Sequence, residues 1–171
     1  MIVEERQTIT IEPYHIGYQQ QVIDLILPIQ QIEFKVPITL KDQPDLFNID
    51  AVYRKGNGNF WVALFNANVI GSIALIDCGN GLGALRKMFV NKDFRGKEKG
   101  TAQLLLDELT QWALAKGFGE IILGTVEVLV AAQKFYLKNG FTLIDKKDLP
   151  ANFALMQVDT LFFIKKLTQK I

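Results

Sequence analysis

At 171 residues, with 19 Lys and Arg against 18 Asp and Glu, the chain has the length for one domain with its own core. Its near-balanced charge offers no field to draw nucleic acid or an anionic membrane surface. A single cysteine, Cys78, excludes an internal disulfide and a multi-cysteine metal site, and a single histidine, His15, argues against zinc.

The first residues, MIVEERQTITIE, carry acids where a leader peptide needs an apolar core. No apolar run reaches membrane-spanning length. The expectation is a soluble, cytoplasmic protein with no membrane association, forming a single domain over residues 1–171. Thr8 to Glu12 alternates and is closed by Pro13, which predicts a short strand. Val22, Ile23, Ile26 and Ile29 have helical spacing, and Pro28 predicts a kink or an end near Leu27. IEFKVPITLKDQP reads as a loop that could cover a pocket. A second helix is expected from Pro44 or Asp45 to about Lys55, ended by Gly56-Asn57-Gly58.

NFWVALF, VIGSIALID and LGALRKMFV follow as three strands. Short polar turns between them predict an antiparallel meander, with GNGLG as a hairpin turn because it leads into no helix. A long helix from about Glu98 to Lys116 buries Ala102, Leu105, Leu106, Leu109 and Ala113, and Gly117 caps it. GEIILGT has the unbroken apolar character of a central strand. A helix over Val128 to Asn139, the strand FTLID and the strand within VDTLFFIKKL complete the chain.

The chain is organised around Met88 to Ala102, MFVNKDFRGKEKGTA, where a strand runs through a basic glycine-bearing turn into a helix. The first amides of a helix lack intrahelical acceptors, and its dipole favours an anion there. Gly96 and Gly100 permit close backbone approach, and Arg95, Lys97 and Lys99 add charge, so the fitting ligand is a pyrophosphate. A P-loop reading fails because no Gly-Lys-Ser/Thr follows. A Ser-His-Asp triad would require Ser72, inside a strand pattern, to meet His15.

Arg95-Gly96-Lys97-Glu98-Lys99-Gly100 at a strand-to-helix turn is similar to the signature of the GNAT acyltransferase superfamily. Ala132, the Phe135-Tyr136 pair and Gly140-Phe141 resemble its second element. The resemblance covers roughly residues 8 to 166. It implies an α/β (α+β) fold with a mixed central sheet of about seven strands, splayed between strands four and five and flanked by helices on both faces. It further implies an N-acetyltransferase that moves an acetyl group from acetyl-CoA, with no metal, to a primary amine of a small molecule or peptide by direct attack on the thioester. The protein would be a monomer or homodimer without a nucleic-acid partner. A non-catalytic acyl-CoA-binding module with a regulatory or partner-binding role is the alternative.

The implied cofactor residues are Met88, Phe89 and Val90 on the fourth strand, Arg95, Gly96, Lys97, Glu98, Lys99, Gly100, Thr101 and Ala102 at the turn, and Ala132. Tyr136 matches the family's proton donor to sulfur. Glu33 in the covering loop is the favoured base over Glu127 and Asp77. Arg86 is a candidate for holding an acceptor carboxylate. By strand parity it shares a face with Met88 and Val90, opposite Lys87 and Phe89. Phe34, Trp61 and Phe60 are candidate pocket-wall aromatics. Two positions depart from the family pattern. Glu98 stands where a glycine is usual, and a carboxylate facing a pyrophosphate would repel it by roughly a kcal/mol; in the first helical turn with its side chain in solvent it is tolerated. Leu129 replaces a frequent asparagine, removing a hydrogen bond worth about a kcal/mol.

Overall fold

In the computed structural model, which describes residues 8–168, tight turns decide the first half of the sheet. β2 (Asn59–Phe65) returns as β3 (Asn68–Asp77) through Asn66 and Ala67, both at positive φ, as a two-residue hairpin turn requires. β3 returns as β4 (Leu82–Val90) through Cys78 to Gly81. β1 (Thr10–Pro13) pairs with β2 at the sheet edge, where Pro13 is tolerated within the strand because its missing N–H need not serve a second neighbour.

A helical crossover then makes β4 and β5 (Glu120–Thr125) parallel. β7 (Leu161–Lys166) inserts antiparallel between β5 and β6 (Thr142–Ile144), giving the order β1-β2-β3-β4-β5-β7-β6. The expected mixed seven-stranded sheet is therefore present.

The helices divide between its faces. α1 (Gln19–Pro28) and α2 (Ile49–Tyr53), with the turn before α2, cover one face by packing Val22, Ile26, Leu46 and Ile49 on Phe60 of β2. α3 (Thr101–Ala115) and α4 (Val130–Lys138) cover the other, where Leu105, Leu106, Leu109 and Ala113 present one apolar stripe to the sheet. A smaller cluster, with Leu82, Ala84, Ile122, Phe153 and Phe162, lies under the segment that leads into β7.

Several boundaries differ from expectation for identifiable reasons. Pro28 does not end its helix; Ile29–Glu33 continues as a π-turn in which the Phe34 amide donates to the Ile29 carbonyl at 3.1 Å. The second helix splits at Asn48 into a 3-10 turn, Pro44–Phe47, and α2. α3 starts at Thr101, behind a left-handed Gly100, and not near Glu98, and α4 starts at Val130, behind Leu129, and not at Val128.

Candidate active site

The first half of the site is the turn into α3. Gly96 and Gly100 have φ of 99° and 69°, in the left-handed region that favours glycine. A β-carbon at Gly96 would meet nothing within 4 Å, and one at Gly100 would meet just the Lys97 carbonyl at 4.0 Å, so the loop opens outward. Thr101, the first helical residue, is 1% exposed, and its hydroxyl has no hydrogen-bond partner among the described residues. An orphaned buried hydroxyl beside the unsatisfied amides of a helix N-terminus fits an anionic, pyrophosphate-bearing ligand, to which it can donate.

Lys97, Glu98 and Lys99 are exposed in the turn ahead of the helix, so Glu98 lies outside the first helical turn expected for it. Exposed charges are screened within about 8–10 Å in physiological salt. Glu98→Gln is accordingly expected to change CoA affinity less than about threefold by titration calorimetry; a tenfold gain would show the carboxylate opposing the phosphates.

Arg95 turns back from this cradle. Its Nε donates to the Val90 carbonyl at 2.7 Å, and its guanidinium pairs with Glu33 through both terminal nitrogens, the Nη2–Oε2 bond measuring 2.9 Å. It also lies over the Phe34 ring, 5.8 Å from the centroid. The Arg95 hydrogen bonds hold the Glu33 carboxyl below its ordinary range against a smaller opposing effect of burial. Glu33, Phe34 and Arg95 thus form a clamp between the end of α1 and the β4–α3 turn.

The second half is a gap in the sheet. β4 and β5 pair at Leu82↔Glu120, Gly83↔Ile121 and Ala84↔Ile122 and then separate. From Leu85 to Val90, β4 keeps β3 on one side and, among the described residues, no strand on the other, leaving main-chain groups available to a ligand. Met88 faces the α3/α4 side at this opening, and the Tyr136 hydroxyl lies 3.7 Å from its sulfur.

The end of α4 fixes Tyr136. Phe141 N–H donates to the Tyr136 carbonyl at 3.1 Å and Gly140 N–H to the Leu137 carbonyl at 3.2 Å, with Gly140 at φ 88°. This is a Schellman cap, and its characteristic apolar contact is Phe141 edge-on to Tyr136 at 5.7 Å. The Gly-Phe pair therefore acts by locking the ring two residues before the helix ends. Ala132 lies one turn earlier, half-buried against the same core. Tyr136 is 7% exposed, and burial, with the charge of Asp159 adding to it, holds its phenol well above the ordinary value.

On the opposite face the strand-parity expectation is corrected by a β-bulge. Arg86 pairs with Ala74 and Phe89 with Ser72, so Lys87 and Met88 together stand opposite Ile73. Lys87 has φ 51°, and its carbonyl accepts from Ser72 Oγ at 2.6 Å. The extra residue leaves Arg86 and Lys87 on one face, with Met88 on the other.

Lys87 Nζ donates to Gln43 Oε1 at 2.6 Å and lies 3.3 Å from Asp45 Oδ2, which accepts from the Tyr53 hydroxyl at 2.6 Å. Gln43 and Gln30 exchange two hydrogen bonds beneath. Burial lowers the Lys87 ammonium, opposed by Asp45. Arg86 contacts the Ala154 carbonyl and lies over Phe153, 5.1 Å from the centroid; its Nη1 is 3.7 Å from Asp159 Oδ2, while its Nε is buried with no hydrogen-bond partner among the described residues.

The other named residues are placed elsewhere. Trp61, expected in the pocket wall, is 1% exposed beneath α3, edge-on to Trp112 at 5.8 Å, and stands on the face away from Arg86. Phe60 is core on the α1/α2 face. Asp77 organises turns, accepting from the amides of Asn57 and Gly79, and Glu127 is exposed. Sequence reasoning missed Gln43, Asp45, Tyr53 and Asp159 as neighbours of this opening. The Arg-Lys pair on one strand was visible, but no glycine announced the bulge that brings both to one face.

The comparisons agree with this geometry. Residues 56–143 match the model of the acetyltransferase (GNAT) domain. The crystal structure of a Staphylococcus aureus acetyltransferase of the GNAT family superposes with a TM-score of 0.90 at 38% identity, covering 94% of this chain and all of that one. Human N-acetylaspartate synthetase is 35% identical over 125 residues, covering 70% of this chain, which spans just 40% of that protein's length. Streptothricin acetyltransferase A of Bacillus subtilis is 31% identical over 110 residues, covering 64% of this chain and 62% of that protein. A matched domain model over half the chain and a solved relative matched along its whole length mean that this chain belongs to the GNAT acetyltransferase family.

Proposed function

We propose that the protein is an acetyl-CoA-dependent N-acetyltransferase acting on a primary amine that carries a carboxylate. The observation carrying this reading is the gap between β4 and β5, which Tyr136 approaches from one face and Arg86 from the other. Acetyl-CoA would supply an activated thioester. Main-chain groups of Met88, Phe89 and Val90 would hold its pantetheine arm, and residues 95–102 its pyrophosphate, with Ala132 leaving room beside α4.

The amine attacks the thioester carbonyl directly, and Tyr136, protonated at any working pH, gives its proton to the departing sulfur. Arg86, carrying a buried and unsatisfied N–H, receives the acceptor carboxylate. The name of the human relative specifies an acetylated acidic amino acid, the same acceptor chemistry. Phe34 stands with Glu33 and Arg95 at the α1 side of the site. Glu33, as base, would first have to leave Arg95.

A panel of amino acids, polyamines and peptides, followed by release of free CoA thiol and by mass detection of the acetylated product, tests the reading. Carboxylate-bearing amines are expected to be the substrates. For them Arg86→Ala should raise the Michaelis constant at least tenfold, with a smaller change in turnover. CoA binding without thiol release from any amine would instead favour the non-catalytic module.

A further inference from the structure

We propose that Asp159, in place of the Arg95-bound Glu33, is the base that takes the proton from the acceptor's ammonium group, at the mouth of the gap between β4 and β5. The inference rests on the acetyltransferase reading and adds to it the group that makes the nucleophile. An amine bound as its ammonium has no lone pair to offer, so a proton must leave before acyl transfer.

Three placements support Asp159. It precedes β7, and the neighbouring Thr160 amide donates to the Thr125 carbonyl at 2.9 Å, which ties this segment to the end of β5 at the side where β4 has diverged. The strand beneath it carries no side chain: a β-carbon at Gly124 would come within 2.2 Å of Asp159 Oδ2, so the carboxylate occupies space that the glycine leaves open. Its side chain is 11% exposed, and Arg86 Nη1 lies 3.7 Å away, beyond hydrogen-bond distance. No hydrogen bond to either carboxylate oxygen is formed among the described residues.

A buried carboxylate beside a cation with a spare donor is the charge complement of an ammonium adjacent to a carboxylate. An α-amino acid would present those two groups to Asp159 and Arg86 respectively. The titratable groups facing Asp159 are Arg86 from β4 and Tyr136 from α4; β5 offers glycine and Thr125, and the neighbouring Lys87 is engaged by Asp45. Burial pushes the Asp159 carboxyl up to about 6, against the pull of Arg86, so it is a stronger base than a surface aspartate and remains ionised at neutral pH.

The protons balance. One N–H bond of the ammonium breaks and one O–H bond forms on Asp159. The freed lone pair attacks the thioester carbonyl carbon, and the C–S bond breaks with its electrons on sulfur. The thiolate takes the Tyr136 proton, and the second proton shed by the attacking nitrogen restores the phenol, leaving the amide with its one N–H. Asp159 returns its proton to water. The sum is ammonium plus thioester giving amide, thiol and one proton.

The test compares the parent and Asp159→Asn on the best amino acid of the acceptor panel, from pH 5 to 10, with CoA-induced thermal shifts measured in parallel. For the parent, kcat/KM should rise through an apparent pKa near 6 and then level. Asp159→Asn should lose about 10²-fold at pH 7 with its CoA shift intact. Its activity should then climb tenfold per pH unit toward the ammonium pKa, because hydroxide supplies the neutral amine in place of the carboxylate. A residue needed just to position Arg86 would give a deficit of constant size across this range, and that result would overturn the proposal. So would parent-like activity at pH 7. A parent that releases no thiol with any amine overturns the acetyltransferase reading itself, and the role of Asp159 with it.

Discussion

Tyr136→Phe should lower turnover roughly 10²-fold while leaving CoA affinity and melting temperature near those of the parent. The ring makes the packing contacts: edge-on pairs with Phe135 and Phe141, and a tilted contact with Phe163 at 6.0 Å. The hydroxyl contributes one long contact to the Met88 sulfur at 3.7 Å, so its removal costs little stability. On the proposed mechanism, what it removes is the proton given to the departing thiolate. General-acid help spans about 10²–10⁴-fold, and a thiol is already a fair leaving group, which sets the expectation at the low end. Stopped-flow thiol release and calorimetric CoA titration, measured side by side, decide the matter. Unchanged turnover would reduce Tyr136 to a packing residue, and parallel losses of binding and stability would make its hydroxyl structural.

Gly100→Glu should abolish the thermal shift that CoA produces. Ligand at a hundred times its dissociation constant stabilises a fold by about 2.7 kcal/mol, so the shift in the parent is readily measured. The substitution puts bulk and a negative charge at the N-terminus of α3, where an anion is expected to approach the backbone. Position 100 has φ 69°, which costs any non-glycine residue on the order of 1 kcal/mol. Gly100→Ala carries that strain without the charge and provides the control. Since a β-carbon there meets nothing closer than 4.0 Å, both variants should fold. Parent-like CoA affinity in Gly100→Glu would show that the cradle is elsewhere.

Much of the fold was legible in the sequence because its punctuation is local. Asn66-Ala67 and the Gly79–Gly81 turn set two hairpins, and Gly117 and Gly140 close two helices through caps that need a left-handed residue at that position. Helix starts were less legible: Gly96 to Lys99 carry no apolar residue that would mark a helical face, and the left-handed Gly100 sets where α3 begins. The bulge at Lys87 carried no signal: a lysine at φ 51° is held there by pairing with β3 and by Ser72, partners distant in sequence. Asp159 was invisible for a related reason. Its significance comes from Arg86, Gly124 and Tyr136, on three elements that meet when the sheet opens.

That opening also gives the molecule a tear line. Among the described residues, three consecutive strand pairs, with the Gly119 and Glu120 amides donating to the Gly81 carbonyl beside them, supply the main-chain pairing between the β1–β4 half and the β5–β7 half. Elsewhere the halves are joined by side-chain packing under α3 and α4, by Arg86 reaching Ala154 and Asp159, by Asn152 donating to the Cys78 and Gly79 carbonyls, and by the covalent crossover. A ligand seated in the gap, bonded to β4 on one flank and packed on α4 on the other, would work as a rivet, carrying load across the place where the sheet has least backbone to carry it. Substrate binding would then do mechanical as well as chemical service, and the line along which this fold first parts would lie elsewhere while the rivet is in place.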